Sequence, residues 1–171
     1  MRYLTIVRHA EAEDRADSGR DYDRVLTARG RRQCEQLRAF ATDPNELGRF
    51  GPVVALVSGA ARTRETFTRA FADTPFISHV EFSDLIYNGR RDVSAEDVLI
   101  DLAAIDPVTT SLLVVGHNPT LRDLVDTLAR NVPAPLVPGH LPKAATVVLA
   151  LDDERPVGLM RYDAVAAYRP D

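Results

Sequence analysis

Cysteine and lysine are almost absent from this chain of 171 residues. The one cysteine, Cys34, cannot form an internal disulfide, which agrees with a reducing compartment and argues against redox chemistry. Of the 21 basic residues only Lys143 is lysine. We interpret this skew as a bias of composition and give it no functional weight. Cys34 lies at helical spacing with apolar residues and is expected to be a small core residue.

Apolar stretches are short throughout the sequence. None approaches the roughly 18 residues that a membrane span requires, and residues 1–7 are too few and too soon followed by charge to be a signal peptide. We therefore expect a cytoplasmic protein. The net charge of −4 argues against general attraction to nucleic acid or to acidic membranes.

The remaining composition is typical of a folded globular protein. Apolar residues make up 45% of the chain and charged residues 27%, without a disorder-prone bias. The length fits one domain better than two, so we expect a single domain over residues 1–171.

Short apolar, β-branched runs alternate with helical patterns along the chain. A polar loop is expected over about 10–26 and a Pro-rich loop over 132–142. Thr27 and Ser94 are expected to cap helices. The strands are predicted at 3–7, 53–57, 76–82, 112–115, 146–151 and 157–162. The helices are predicted at about 28–41, 61–72, 95–104 and 120–129.

This alternation predicts an α/β fold of three layers, with a mostly parallel central sheet and helices on both faces. In such sheets ligands bind beyond the carboxyl ends of the strands. Three clusters follow strand ends: Arg8 with His9, residues 58–62, and Gly116 with His117. The pattern therefore brings two histidines and two arginines to one cleft.

These residue types suit a phosphoryl group. The guanidinium forks of Arg8 and Arg62 bind anionic oxygens in pairs. A neutral histidine is nucleophilic near pH 7 and forms covalent intermediates. We expect the two arginines to disfavour the protonated form of His9, and a backbone carbonyl to hold its other ring N–H.

Four motifs resemble those of the histidine phosphatase superfamily, also called the phosphoglycerate mutase-like fold. Val-Arg-His-Ala at 7–10 resembles its Arg-His-Gly signature. Ser-Gly-Ala-Ala-Arg-Thr-Arg-Glu-Thr at 58–66 resembles its second motif, and Val-Gly-His-Asn-Pro at 115–119 its third. Residues 23–30 resemble the loop into its first helix. The match runs in order from residue 4 to about 128.

The resemblance implies a role for each matching residue. His9 would be the phosphorylated nucleophile, Arg8 and Arg62 the phosphate clamp, and His117 a second phosphate ligand. Lower in rank are three candidates for substrate binding: Ala10, Thr63 and Asn118 through its amide. Ala10 stands where the signature usually has glycine, so a positive φ there would cost strain, which we expect to be tolerated.

The general acid has no convincing motif. Relatives carry a glutamate before the third motif, whereas Glu81 and Asp84 are the candidates here. An alkoxide leaving group needs a positioned acid, while imidazole departs readily when protonated. About fifty residues separate the second and third motifs, which leaves little room for a lid. Both features favour phosphohistidine in a protein as substrate, as in the SixA-like phosphohistidine phosphatases of this superfamily.

Three alternatives remain open. The chain could instead be a phosphatase or mutase of small phosphorylated metabolites, or a phospho-ligand binding module that has lost catalysis. His9 and His117 could also be metal ligands, but two nearby arginines would repel a cation. We therefore expect neither a metal nor another cofactor. Of the other histidines, His79 is expected to be a surface or half-buried residue, and His140 to face solvent rather than line the cleft.

Overall fold

A six-stranded sheet forms the centre of the fold. The computed structural model describes residues 2–89, 92–105, 111–151 and 161–171. The spatial order of the strands is β3-β2-β4-β1-β5-β6. They are β1 (Arg2–Arg8), β2 (Val54–Ser58), β3 (His79–Ser83), β4 (Leu112–Gly116), β5 (Thr146–Leu151) and β6 (Asp163–Tyr168).

Most strand pairs are parallel. β1 pairs with β4, β4 with β2, and β2 with β3 in parallel, whereas β5 runs antiparallel to both β1 and β6. The four parallel strands therefore end at the same edge of the sheet. A helix lies in each connection from β1 through β5 along the chain. In order, these helices are α1 (Ala28–Thr42), α2 (Ala61–Ala70), α3 (Ala95–Ile105) and α4 (Thr120–Leu128).

Alternating residues of the strands supply two separate cores. Leu4 and Ile6 of β1 belong to the cluster that includes α3 and α4, whereas Val7 belongs to the cluster that includes α1 and α2. Since successive strand side chains point to opposite faces, each face carries its own helical layer. The expected three-layer α/β fold with a mostly parallel sheet is confirmed.

The predicted helix starts also have a local cause. Thr27 accepts a hydrogen bond from the amide of Gly30 at 2.9 Å, and Ser94 accepts one from the amide of Asp97 at 3.1 Å. These side-chain oxygens satisfy amides that have no partner within the helix. Cys34 lies fully buried on the inner side of α1, as expected.

The last strand lies further along the chain than predicted. The sequence analysis placed it at 157–162, of which 157–160 lie outside the described residues, and the structure has β6 at Asp163–Tyr168. Tyr162 instead forms a bridge with Ala129. The prediction was wrong because β6 is an edge strand with three small alanines, whose apolar signal is weak.

Among the described residues, no helix has both the length and the apolar character that crossing a membrane requires.

Candidate active site

All four predicted catalytic residues line one cavity of about 400 Å³ at the carboxyl edge of the parallel strands. Arg8 ends β1, His9 follows it, Arg62 lies in the first turn of α2, and His117 follows β4. The sheet topology thus brings together residues that are more than a hundred positions apart. The complete lining consists of Arg8, His9, Asp21, Arg24, Arg62, Asn88, Gly89, His117, Asn118 and Lys143.

The backbone of His9 is held on both sides. Its amide donates to the carbonyl of Gly116 at 3.0 Å, and its own carbonyl accepts from the amide of Ala144 at 3.1 Å. The first bond continues the pairing of β1 with β4 for one residue beyond the strands. The position of His9 is therefore fixed by the sheet itself.

The ring of His9 presents a free nitrogen to the cavity. Its Nδ1–H donates to the carbonyl of Ala10 at 2.7 Å, so that Nε2 carries the lone pair. Burial and the charge of Lys143 hold the pKa of His9 well below its ordinary value. The ring is consequently neutral near pH 7, which is the state a nucleophile requires.

His117 lies beside His9, with ring centroids 5.1 Å apart. Its Nε2 is 2.7 Å from the Ser58 hydroxyl, whereas Nδ1 is buried and has no hydrogen-bond partner within the described part of the chain. Burial and the charge of Arg62 lower the pKa of His117 to about 3. If the Ser58 hydroxyl donates to Nε2, the remaining Nδ1–H is a neutral donor.

The two arginines are held by carbonyl and carboxylate oxygens. Arg8 Nη1 donates to the carbonyl of Leu141 at 2.8 Å, a carbonyl that also accepts from Asn118 Nδ2 at 3.0 Å. Arg62 donates through Nη1 to the backbone carbonyl of Asp21 and through Nη2 to its carboxylate. The Nε groups of both arginines are buried and unpaired by any described residue.

Asp21 positions Arg62, and sequence reasoning missed it. Its carboxylate accepts from Arg62 at 2.9 Å, from the Tyr87 hydroxyl at 2.8 Å and from Arg24 at 2.7 Å. Burial raises the pKa of Asp21, but the hydrogen bonds from Arg24, Tyr87 and Arg62 outweigh it and hold the pKa well below its ordinary value. Asp21 is therefore ionised and is not a proton donor near neutral pH.

Lys143 is the second residue that was missed. Its Nζ lies 3.4 Å from His9 Nε2. Burial, followed by the charges of Arg8 and Arg62, lowers the pKa of Lys143 to about 8. Because 134 positions separate Lys143 from His9, no local motif links the two residues. The only signal in the sequence was that lysine occurs once in the chain.

The lower-ranked substrate-binding candidates have different positions. Asn118 lines the cavity, whereas Ala10 and Thr63 do not. The amide of Ala10 donates to Thr66, and the hydroxyl of Thr63 donates to the carbonyls of Ser58 and Ala60. Ala10 does not have the positive φ that was considered for it, since Ala144 is the one non-glycine residue with positive φ in the described ranges.

The candidate general acids lie outside the cavity lining. Glu81 is exposed on β3, with its carboxylate 3.9 Å from His79. Asp84 accepts from the Tyr22 hydroxyl at 2.7 Å and lines a neighbouring cavity of about 610 Å³. That cavity shares Asp21 and Gly89 with the site. The other two histidines, His79 and His140, are exposed as expected.

A metal centre was weighed as an alternative for the two histidines. Within the described ranges, no three His, Cys, Asp or Glu side chains are grouped as metal ligands. The lining of the cavity around His9 and His117 includes Arg8, Arg62 and Lys143, whose positive charges repel a metal ion.

Comparison with known proteins relates the chain to one family. The family model for the histidine phosphatase superfamily, branch 1, matches residues 4–87, which include Arg8, His9 and Arg62. This part of the chain is similar to the histidine phosphatase superfamily. A search of curated protein sequences finds no significant match.

Several solved structures share the fold of this chain. A protein of Agrobacterium tumefaciens assigned as phosphohistidine phosphatase SixA is 26% identical, with a TM-score of 0.74 and 99% of each chain covered. A Nakamurella multipartitia protein with the same assignment is 24% identical, with a TM-score of 0.72 over 99% of this chain and 96% of that one. Phosphoglycerate mutase from Thermus thermophilus is 15% identical, with a TM-score of 0.60 and 99% of each chain covered. Together with the family match, the similarity to the Agrobacterium tumefaciens protein supports a phosphatase as the general activity.

Proposed function

We propose that the protein is a metal-independent phosphatase that works through a covalent phosphohistidine on His9. The observation that carries the proposal is the neutral His9 ring, whose unprotonated Nε2 faces a cavity lined by four arginine or lysine side chains. Arg8 and Arg62 clamp the phosphoryl oxygens, and His117 donates to them through Nδ1. The amide side chain of Asn118 is a further candidate ligand in the lining.

The proposed reaction has two displacements at phosphorus. In the first, the Nε2 lone pair forms a bond to phosphorus, and the bond to the leaving group breaks with its electron pair going to the leaving atom. In the second, a water oxygen bonds to phosphorus, the bond to Nε2 breaks, and Nε2 recovers its lone pair. The proton lost by water goes to phosphate or to solvent. Guanidinium groups stabilise the charge in both transition states without a metal.

Phosphohistidine in a protein is the substrate that we propose. Asp21 is the one carboxylate in the described lining, and its low pKa prevents it from protonating a leaving group. A poor leaving group such as an alkoxide requires a positioned acid. The second ring nitrogen of phosphohistidine takes its proton from solvent near neutral pH, and the ring then leaves as neutral imidazole. Similarity to proteins assigned as SixA supports the same substrate class.

A phosphatase of small phosphorylated metabolites is the second candidate. The observation that favours it is the neighbouring cavity of about 610 Å³, which shares Asp21 and Gly89 with the site and is large enough for a small leaving group. Tyr22, Tyr87 and Asp84 are among its lining residues. A side chain projecting from a protein can enter the same space, so the cavity alone does not choose between the two substrates.

Hydrolysis of a substrate panel tests the proposal. The panel contains a phosphohistidine peptide, phosphoglycerates, sugar phosphates and 4-nitrophenyl phosphate, and each substrate is assayed with and without a metal chelator. We expect the highest kcat/KM on the phosphohistidine peptide, no loss with chelator, and loss of turnover in His9→Asn. Higher kcat/KM on the metabolites would contradict the protein substrate. Tight binding of phosphate ligands without turnover of any of them would contradict catalysis and favour a binding module.

A further inference from the structure

Lys143 is the only lysine in the chain, and it lies in the active-site cavity. Its Nζ is 3.4 Å from His9 Nε2, the nitrogen proposed to attack phosphorus. Because His9 Nδ1–H already donates to Ala10, Nε2 is the acceptor of this long hydrogen bond and the ammonium is the donor.

The backbone around Lys143 is tied to the catalytic strand. The amide of Ala144 donates to the carbonyl of His9, and the carbonyl of Ala145 accepts from the amide of Arg8 at 3.1 Å. Ala144 is fully buried and has a φ of 57°, in the left-handed region where a non-glycine residue is strained. These bonds hold the segment in a strained conformation that directs Lys143 toward His9.

Cations dominate the surroundings of Lys143. Arg8, Arg62 and Arg24 each lower its pKa, and Glu11 raises it. The charged and titratable groups that face it from the surrounding elements are Arg8 at the end of β1, His9, Glu11, Asp21 and Arg24 in the following loop, Arg62 of α2 and His117 after β4. Repulsion among these cations is relieved when a phosphoryl dianion lies between them.

The geometry places the ammonium within reach of such a dianion. An attacking atom stands roughly 3–3.5 Å from its target before reaction. In an in-line displacement the leaving group lies opposite Nε2, so an ammonium 3.4 Å from Nε2 is closer to the non-bridging oxygens than to the leaving group. The ammonium then meets an oxygen that stays on phosphorus and not the leaving group on the opposite side.

We propose that Lys143 is a catalytic residue that binds a non-bridging phosphoryl oxygen and, in doing so, releases Nε2 of His9 for attack. This role rests on the phosphatase function proposed above. A lysine ammonium is a compact charge on a flexible stem, and it can therefore follow the phosphoryl group from one transition state to the next. An arginine at this position would supply the positive charge, but its planar guanidinium would not follow the phosphoryl group in the same way.

The pH dependence of kcat/KM on 4-nitrophenyl phosphate tests this role with Lys143→Met and Lys143→Arg. A charge-assisted hydrogen bond contributes ~1.5–3 kcal/mol, so Lys143→Met should lower kcat/KM at pH 7 by about 10- to 100-fold. The wild-type value should fall above pH 8 as the ammonium loses its proton. Lys143→Arg should keep part of the activity and lose that alkaline fall, because a guanidinium stays charged.

Arg38→Met is the matched control, since Arg38 is an exposed arginine of α1 paired with Asp73. Circular dichroism compares the folding of all variants. Wild-type kcat/KM in Lys143→Met, or an unchanged alkaline fall in Lys143→Arg, would overturn the role of Lys143. Wild-type protein that does not hydrolyse the ester, or that does so independently of His9, would instead overturn the proposed function.

Chemical modification gives a second measurement, because Lys143 offers the only ε-amino group in the chain. Reductive methylation near pH 8 should slow when orthovanadate, a phosphate analogue, occupies the site. Lys143→Arg distinguishes Lys143 from the α-amino group. Equal methylation of Lys143 with and without bound orthovanadate would contradict contact between the ammonium and the anion.

Discussion

Burial is the largest cause of the low pKa of His9, and Lys143 is the next. The sequence analysis expected a neutral His9 with a carbonyl on its second nitrogen, and the carbonyl is that of Ala10. It attributed the neutrality to the two arginines, of which Arg62 is a smaller contributor. Motifs identify which side chains converge, but they do not reveal how deeply a ring is buried.

The same limit explains the residues that sequence reasoning missed. Asp21 is one of many polar residues in its loop, and the sequence around it contains no pattern that indicates a bond to Arg62. Lys143 follows a Pro-rich stretch without a motif. Both contacts depend on how loops cover the sheet edge, which local patterns do not specify.

The protonation of the two site histidines is testable by NMR. We expect neither His9 nor His117 to take up a proton between pH 8 and 6, because burial depresses the pKa of both below its ordinary value. The chemical shifts of ring carbons report the charge, and spectra of His9→Asn and His117→Asn assign the signals. A titration midpoint inside that range for either ring would show that burial does not keep it neutral.

At the scale of elements, the sequence predicted the helices and most strands well. Apolar periodicity and the caps Thr27 and Ser94 are local signals, and these elements formed within a few residues of the predicted bounds. The last strand was misplaced because its position depends on pairing with β5 at the sheet edge. Tertiary pairing decides such a strand more than its own composition does.

Helix α1 packs closely against the loop that follows His9, and a substitution in this one helix tests whether that packing matters. A Cβ added at Gly30 would overlap the backbone carbonyl of Glu11, two residues after His9. Gly30→Ala should therefore lower the free energy of unfolding by about 1–3 kcal/mol and also reduce kcat, since His9 moves with that loop. Denaturant melts and 4-nitrophenyl phosphate turnover measure the two effects.

The exposed Arg32 of the same helix provides the control, and Arg32→Ala should change neither quantity appreciably. If Gly30→Ala were as stable and as active as wild type, the close approach of α1 would not position the catalytic loop.

At the scale of the whole molecule, one sheet connects both cores and the site. All six strands belong to it, and the two helical layers pack on its opposite faces. We propose on this basis that residues 1–171 form one domain. The cytoplasmic location remains a prediction from the sequence. The convergence of Arg8, His9, Arg62 and His117 followed from strand order and motif order alone, because parallel strands end at a common edge.

Trapping the covalent intermediate tests the central claim most directly. The protein is mixed with a phosphohistidine peptide or with 4-nitrophenyl phosphate, quenched during turnover in alkaline denaturant, and analysed by peptide mass spectrometry. We predict one phosphoryl group on His9 that is stable in base and lost in acid, and none in His9→Asn. Rapid turnover with no phosphoryl group on His9, or wild-type turnover by His9→Asn, would contradict the account.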